Sequence, residues 1–363
     1  MNSRERTFLA LNFEEPDRVP IDLWMSKGCR HKLETALHVS AEMLLDTHDV
    51  DLRYIEGPAY IGPPLQTFPD GSDEDIWGVR RKTVTVQTCE GVEMYKEVAG
   101  SPLASATTVE EIDAYDHWPS PDWFDYSSIE AQCEEIRQQE RVVVFMGDRL
   151  NRIAQLKPAM YLRGIEEIFV DMSINPDLAH ALFSHVRNFY SSYAERIFEA
   201  AQGKLDILLM GDDFGSQNGP LLSPAMWEEF LRQGFAEYTD VAKSYNLRVM
   251  HHTCGAVRPL IPRLIECGLD ILQSLQPEAA DMDPRGLKAE FGNRLAFHGG
   301  ISIQRTLPFG TPGEVRTEVK DRVEALGPGG GYILCTAHNI QADTPVENVE
   351  ALLSAYKEYG HYG

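Results

Sequence analysis

A chain of 363 residues with 43% hydrophobic and 9% aromatic residues has enough apolar material for a large core, which excludes wholesale disorder. Its 56 acidic residues outweigh 33 basic ones and give a formal net charge of -23, a field that repels nucleic-acid phosphates and anionic lipid. No nucleic acid and no membrane is therefore expected as a partner, and a large polyanion is disfavoured unless a local basic pocket overrides the field.

The chain starts Met1-Asn2-Ser3-Arg4-Glu5-Arg6 and turns polar again within a few residues, so a signal-peptide core is not expected. No apolar run of about 18 residues follows, as a spanning helix would require. Cysteines at Cys29, Cys89, Cys133, Cys254, Cys267 and Cys335 are scattered without a C-x-x-C pair, which fits reduced thiols and a cytoplasmic protein.

Short runs rich in Val, Ile and Leu recur between longer amphipathic stretches, the pattern of parallel strands covered on both faces by crossover helices. Eight strands are predicted, at residues 19–24, 50–56, 142–146, 207–212, 248–252, 270–275, 295–299 and 332–336. Eight closes a barrel, so the expected fold class is α/β, a (β/α)8 barrel of TIM type forming one domain over residues 1–363. Between the second and third strands, Asp70-Gly71 and Glu90-Gly91 turns flank the alternating run Arg81-Lys82-Thr83-Val84-Thr85-Val86-Gln87. This predicts a β-hairpin inserted at 68–103, either a surface ribbon or a flap over the barrel mouth or a dimer contact. Further on, Ser223 before Pro224 caps a helix start and Gly268 follows a helix end, so the second half alternates regularly.

Functional residues of such a barrel collect at the C-terminal ends of its strands. After the fourth predicted strand stand Asp212 and Asp213, an adjacent pair of which one is expected to face the site and the other to cap a turn or helix. The fifth ends in His251-His252-Thr253-Cys254-Gly255. Residues two apart on an extended chain share a face, so the His252 imidazole and a Cys254 thiolate can converge on one metal ion while His251 points into packing. Gln273 and Gln276 flank the sixth strand's end, and His298 precedes a Gly-Gly turn, where it is either a site residue or a satisfied core histidine. The eighth strand ends Cys335-Thr336-Ala337-His338-Asn339. Cys335 and His338 are alternative third ligands; Cys335 also reads as a small buried hydrophobe, and His338 beside Asn339 is better placed to face a pocket.

Together these residues resemble the uroporphyrinogen decarboxylase superfamily, specifically its branch of zinc-dependent, corrinoid-linked methyltransferases. The resemblance runs from Arg4-Glu5-Arg6 and Glu15-Pro16-Asp17-Arg18-Val19-Pro20 through Gly211-Asp212-Asp213 and His252-Thr253-Cys254-Gly255 to Thr344-Pro345-Val346-Glu347-Asn348. It implies a zinc site made by an H-x-C pair, here His252 and Cys254, and a later cysteine near the T-P-x-E-N segment. His338 occupies that cysteine's position, with Cys335 three residues earlier. Two imidazoles and one thiolate would leave a zinc complex near +1 rather than neutral, suited to polarising an oxygen or nitrogen leaving group. The expected activity is transfer of a methyl group from a small O- or N-methylated compound to the corrinoid (cobalamin) of a partner protein, a demethylase reaction on the donor side. Asp212, Asp213, Gln276, His298 and Asn339 are the expected catalytic or orienting residues, and a homodimer is favoured. Two rivals stand beside it. Decarboxylation of a carboxylate substrate needs cations, for which the first strand's end offers Lys27 and Arg30. A non-catalytic binding barrel would use the same histidines and cysteines as packing.

Overall fold

Seven of the eight predicted runs form parallel strands of one curled sheet in the computed structural model, which describes residues 1–88, 90–147 and 152–362. Twelve strands form among the described residues: β1 (Leu52–Ile55), β2 (Ala59–Tyr60), β3 (Asp73–Glu74), β4 (Arg80–Gln87), β5 (Val92–Gly100), β6 (Phe124–Asp125), β7 (Val142–Phe145), β8 (Ile207–Gly211), β9 (Arg248–His252), β10 (Ile271–Leu275), β11 (Ala296–Ile301) and β12 (Tyr332–Thr336). The large sheet runs β1-β7-β8-β9-β10-β11-β12, every neighbouring pair parallel, with helices returning the chain between them in the manner of a TIM-type barrel.

The first predicted strand is corrected. Residues 19–25 lie between β12 and β1 but make only isolated bridges, Ile21 to Leu334 and Met25 to Ile340. Pro20 has no N–H to give, and the Ile21 N–H goes to the Asp51 carboxylate at 2.8 Å instead of to a strand carbonyl. The segment still spans the gap: Asp22 N–H reaches Leu334 O at 3.0 Å, and its Ile21 carbonyl accepts from Asp51 N–H at 2.9 Å. It carries Asp22 and Trp24 to the barrel mouth.

Strand alternation explains where the core ends and the site begins. Leu52, Val142, Val144, Ile207, Leu209, Met250, Ile271, Ala296 and Ile333 point inward and form one apolar cluster, plugged by Leu11 from the helix Ser3–Leu11. Residues of the opposite parity, such as Val143, Leu208, Val249, Leu272 and Phe297, face the helices in a second, larger cluster. One step further along the inward parity the residues turn polar: His252, Gln273, His298 and Cys335. The polar layer therefore sits on an apolar floor.

Arg6, Asp17 and Arg18 of the N-terminal motif have a structural role. Arg6 and Arg18 clamp the fully buried Asp51 at 2.6 and 2.7 Å, and Arg6 also holds Asp17 at 2.7 Å. Asn348 of the T-P-x-E-N segment donates to Leu307 O and Gly310 O, both at 2.8 Å, and ties its helix, Val346–Tyr359, to the C-terminal end of the short helix Thr306–Phe309.

The inserted hairpin is present as β4 and β5, with β3 paired to β4. Its Glu93 carboxylate accepts from Ser26 Oγ and from Ala342 N–H, which leans the ribbon against the barrel mouth. Gly28 permits that approach, because a Cβ there would lie 2.4 Å from Val92 O. Cys89 lies outside the described residues; the other five cysteines are free thiols. No helix among the described residues is long and apolar enough to cross a membrane.

Candidate metal centre

The tips of β8, β9, β10 and β12 are held together by their own backbone and short polar side chains. Thr253 N–H donates to Gln273 O at 3.2 Å, Phe214 N–H to Thr253 Oγ1 at 2.9 Å, and Cys254 N–H to Asp213 Oδ1 at 3.1 Å. The chain then reverses at Gly255, whose φ is +80° and where a Cβ would fall 2.5 Å from Ser216 O. Gln276 accepts from Gly255 N–H at 2.8 Å. Ser274 interrupts β10 at φ +78°, and its hydroxyl donates to Ala337 O at 2.7 Å beside Cys254 Sγ at 3.6 Å. That strained residue links the β9 tip to the β12 tip.

This scaffold brings His252, Cys254 and His338 together, with their ligand atoms all within 4.8 Å of one another. Cys254 Sγ lies 3.4 Å from His252 Nε2. Each histidine is oriented from its other nitrogen: His252 Nδ1 is bonded to Gln273 Oε1, and His338 Nδ1 to Asn339 Oδ1. Both carbonyl oxygens accept, so each ring carries its proton on Nδ1 and offers the Nε2 lone pair inward. Trp24 packs against both rings, at 5.5 Å from His252 and 5.3 Å from His338.

Burial, with Arg152 second, lowers the His252 pKa well below its ordinary value, and burial lowers that of His338. Burial, then the nearby Asp213 carboxylate, pushes the Cys254 thiol up to about 12. The metal-free centre is thus two neutral imidazoles and one thiol, and a cation entering it has a single proton to displace.

The structure separates the two aspartates. Asp212 is buried and accepts from the N–H groups of Gln155, Leu156 and Lys157 at 2.6, 3.0 and 2.7 Å, capping the helix Leu156–Arg163 away from the cavity. Burial raises its pKa to about 6 against those three donors. Asp213 lies 3.5 Å from His252 Nε2 and pairs with Lys157 at 2.7 Å. Burial opposes its ionisation, but the Lys157 ammonium and the Cys254 N–H favour the carboxylate and hold it well below the usual carboxylate range.

Three further expectations are corrected. Cys335 is not beside His252 and Cys254: it lies with Asp22 and His298 in a second, fully buried group, because it is still within β12 against β11, three residues before His338. His298 belongs there too, bonded to Asp22 Oδ2 at 2.9 Å, and Tyr54 donates to the same oxygen at 2.6 Å. Gln276 serves the Gly255 turn and does not line the cavity. His251, on the helix-facing side of β9, stacks on Phe214 at 5.0 Å and meets Phe235 at 5.0 Å.

A cavity of about 610 Å³ opens over the centre, walled by Trp24, Trp77, Tyr161 and Tyr190 and reached by Asp213, His252, His338 and Asn339. The hairpin contributes Val86, Thr88, Met94 and Tyr95, so the insertion walls the barrel mouth. Among the cations at the wall, Arg81 is held by Asp75 at 2.8 Å and Lys157 by Asp213. Arg152 and Lys27 complete the set among the described residues. Sequence reasoning missed Trp24, Arg152, Lys157 and Ser274. Trp24 alone had a signal, its place at the end of a predicted strand.

The uroporphyrinogen decarboxylase (URO-D) family model matches residues 123–359. Methylcobamide:CoM methyltransferase MtaA of Methanosarcina barkeri is 29% identical over 168 residues, 46% of this chain and 45% of that protein. A methylated-thiol–coenzyme M methyltransferase of Methanosarcina mazei is 25% identical over 201 residues, 55% of this chain and 50% of that protein. The match spans about half the length of either curated relative. Among solved structures, a methyltransferase from Methanosarcina mazei superposes with a TM-score of 0.69 at 19% identity, covering 99% of both chains, which shows a shared fold.

Proposed function

The chain belongs to the uroporphyrinogen decarboxylase family, and from that premise we propose that it is a zinc-dependent methyltransferase acting with a corrinoid protein. The observation that carries this reading is the convergence of the His252, Cys254 and His338 donor atoms within 4.8 Å of one another, with both histidines lining a cavity. The donor set suits zinc: two imidazoles whose Nδ1 atoms are each fixed by a partner oxygen, and one thiol, three groups that would hold the ion with fewer ligands than a closed structural site. Zinc held there would supply Lewis acidity, polarising the oxygen or nitrogen that gives up its methyl group.

The remaining work falls to the chain's own residues. Gln273 and Asn339 keep the two rings in the tautomer that offers Nε2. Asp213 positions the Cys254 backbone and anchors Lys157, and Trp24 closes the side behind both histidines. The hairpin and the aromatic wall keep bulk water from the substrate, while the mouth remains the route by which a corrinoid would approach. A corrinoid reaching that mouth would supply the nucleophile for the methyl group, and the bonding pair would stay on the substrate heteroatom.

Two relatives have names that couple methyl transfer with coenzyme M, a thiol. With His338 in the third position the site holds one thiolate rather than two, which favours a neutral heteroatom over an activated thiol as ligand. Decarboxylation of a polycarboxylate needs several cations, and of those described at the wall Arg81 and Lys157 are already held by carboxylates, which leaves Arg152 and Lys27. Metal analysis tests the reading: wild-type protein is expected to carry about one zinc per chain, and His252→Ala and His338→Ala variants to lose it. Zinc-loaded protein should also methylate cob(I)alamin from some member of a panel of methoxylated and N-methylated compounds, followed by absorbance. Wild-type protein without zinc after supplementation contradicts the proposal.

A further inference from the structure

Arg152 stands at the cavity wall beside the candidate centre. No carboxylate lies within ion-pairing distance of it among the described residues: Asp213, the nearest candidate on the wall, is engaged by Lys157 at 2.7 Å. Among the described residues the guanidinium Nε has no hydrogen-bond partner and Nη2 meets the Met146 sulfur at 3.3 Å; the group lies 5.6 Å from the Trp24 ring centroid. A buried arginine in a structural role normally acquires a carboxylate or several carbonyls, as Arg163 and Arg6 do here.

The backbone makes room for it. Position 211 ends β8 on the inward parity, where its neighbours along the strand are Ile207 and Leu209. A Cβ at Gly211 would lie 2.8 Å from Arg152 Cδ, 3.2 Å from Arg152 Nη1 and 2.9 Å from His252 Cβ. The guanidinium therefore occupies the space that a side chain on β8 would fill, next to a ligand histidine and against the Trp24 face.

We infer that Arg152 is a specificity-determining residue that binds a carboxylate on the substrate, so that the methyl donor is a small methylated carboxylic acid. This rests on the methyltransferase reading of the same site. The planar fork of the guanidinium matches a carboxylate bidentately, and the cavity, closed off by aromatic side chains, strengthens that contact. The closeness of Arg152 to His252 places the anionic group a few atoms from the heteroatom that meets the metal. The net charge of -23 works against anions in general, which makes an arginine inside the cavity that no described carboxylate pairs a selective feature rather than part of a basic surface.

The test is calorimetric titration of the full chain with methoxyacetate and anisate, each against its neutral amide. Wild-type protein is expected to favour the carboxylates by about tenfold to a hundredfold. Arg152→Lys should keep part of that preference and Arg152→Gln should lose it, with zinc content and circular dichroism unchanged in both. Equal binding of acid and amide, no saturable binding of either acid, or a preference that survives in Arg152→Gln overturns the inference. Zinc content and methyl transfer, measured on the same preparations, report separately. Their loss with the preference intact contradicts the methyl-transfer reading and sustains the carboxylate site.

Discussion

Gln273 and Asn339 determine which nitrogen each site histidine offers, and so their worth shows in metal affinity rather than in fold. Gln273→Leu removes the acceptor for the His252 Nδ1 proton, and zinc affinity is expected to fall about tenfold to a hundredfold in competition with a chromophoric chelator. Unchanged affinity would mean that the ring is held by packing alone. Asp212 has the opposite character: it serves the helix it caps, and the measurement that reveals it is stability against pH. Burial raises its pKa to about 6 in the folded chain, against about 4 unfolded, so between those values the folded state holds a proton the unfolded state has lost. Its contribution is fully present below about pH 4 and is lost as pH rises through 6. Urea denaturation should therefore show wild type losing up to about 3 kcal/mol relative to Asp212→Asn from pH 4 to 7. A flat difference would contradict this.

Strand parity separates two neighbouring histidines on β9. His251 faces the helices between Phe214 and Phe235 with both ring nitrogens unpartnered, and burial lowers its pKa to about 3. Replacing it by Phe is expected to leave zinc binding intact and to be neutral or stabilising by about 1 kcal/mol, read by denaturant melts. Loss of zinc in that variant would refute the parity argument. The same alternation made much of the site legible in the sequence: His252 and Cys254 share a face because they are two apart, and His338 lies just past a strand end. The hairpin too was written in its alternation and its Asp-Gly and Glu-Gly turns. What failed did so for physical reasons. Pro20 broke the regularity of the first predicted strand. Cys335 looked available as a ligand, but only the closed barrel shows that its inward direction leads to Asp22 and His298. Arg152 and Lys157 lie outside the strands and have no period to read, and Ser274 acts through a φ of +78° that its residue type does not announce.

At the scale of the whole molecule, the barrel works as two stacked environments. Inward residues near the N-terminal ends of the strands are apolar and sealed by Leu11, whereas the layer above is polar and opens into the hairpin-walled cavity. Sites at opposite points of the sheet, β9 and β12, meet only because the sheet curls and residues 19–25 bridge its edges. The central claim is that this closure gathers one sulfur and two imidazole nitrogens around one cation. X-ray absorption at the zinc edge of metal-loaded protein measures it directly. The account predicts one sulfur at about 2.3 Å and two nitrogens at about 2.0–2.1 Å, with a further light ligand completing the shell. Two sulfurs, which would bring in a second cysteine, or a shell of oxygen and nitrogen alone, would contradict it.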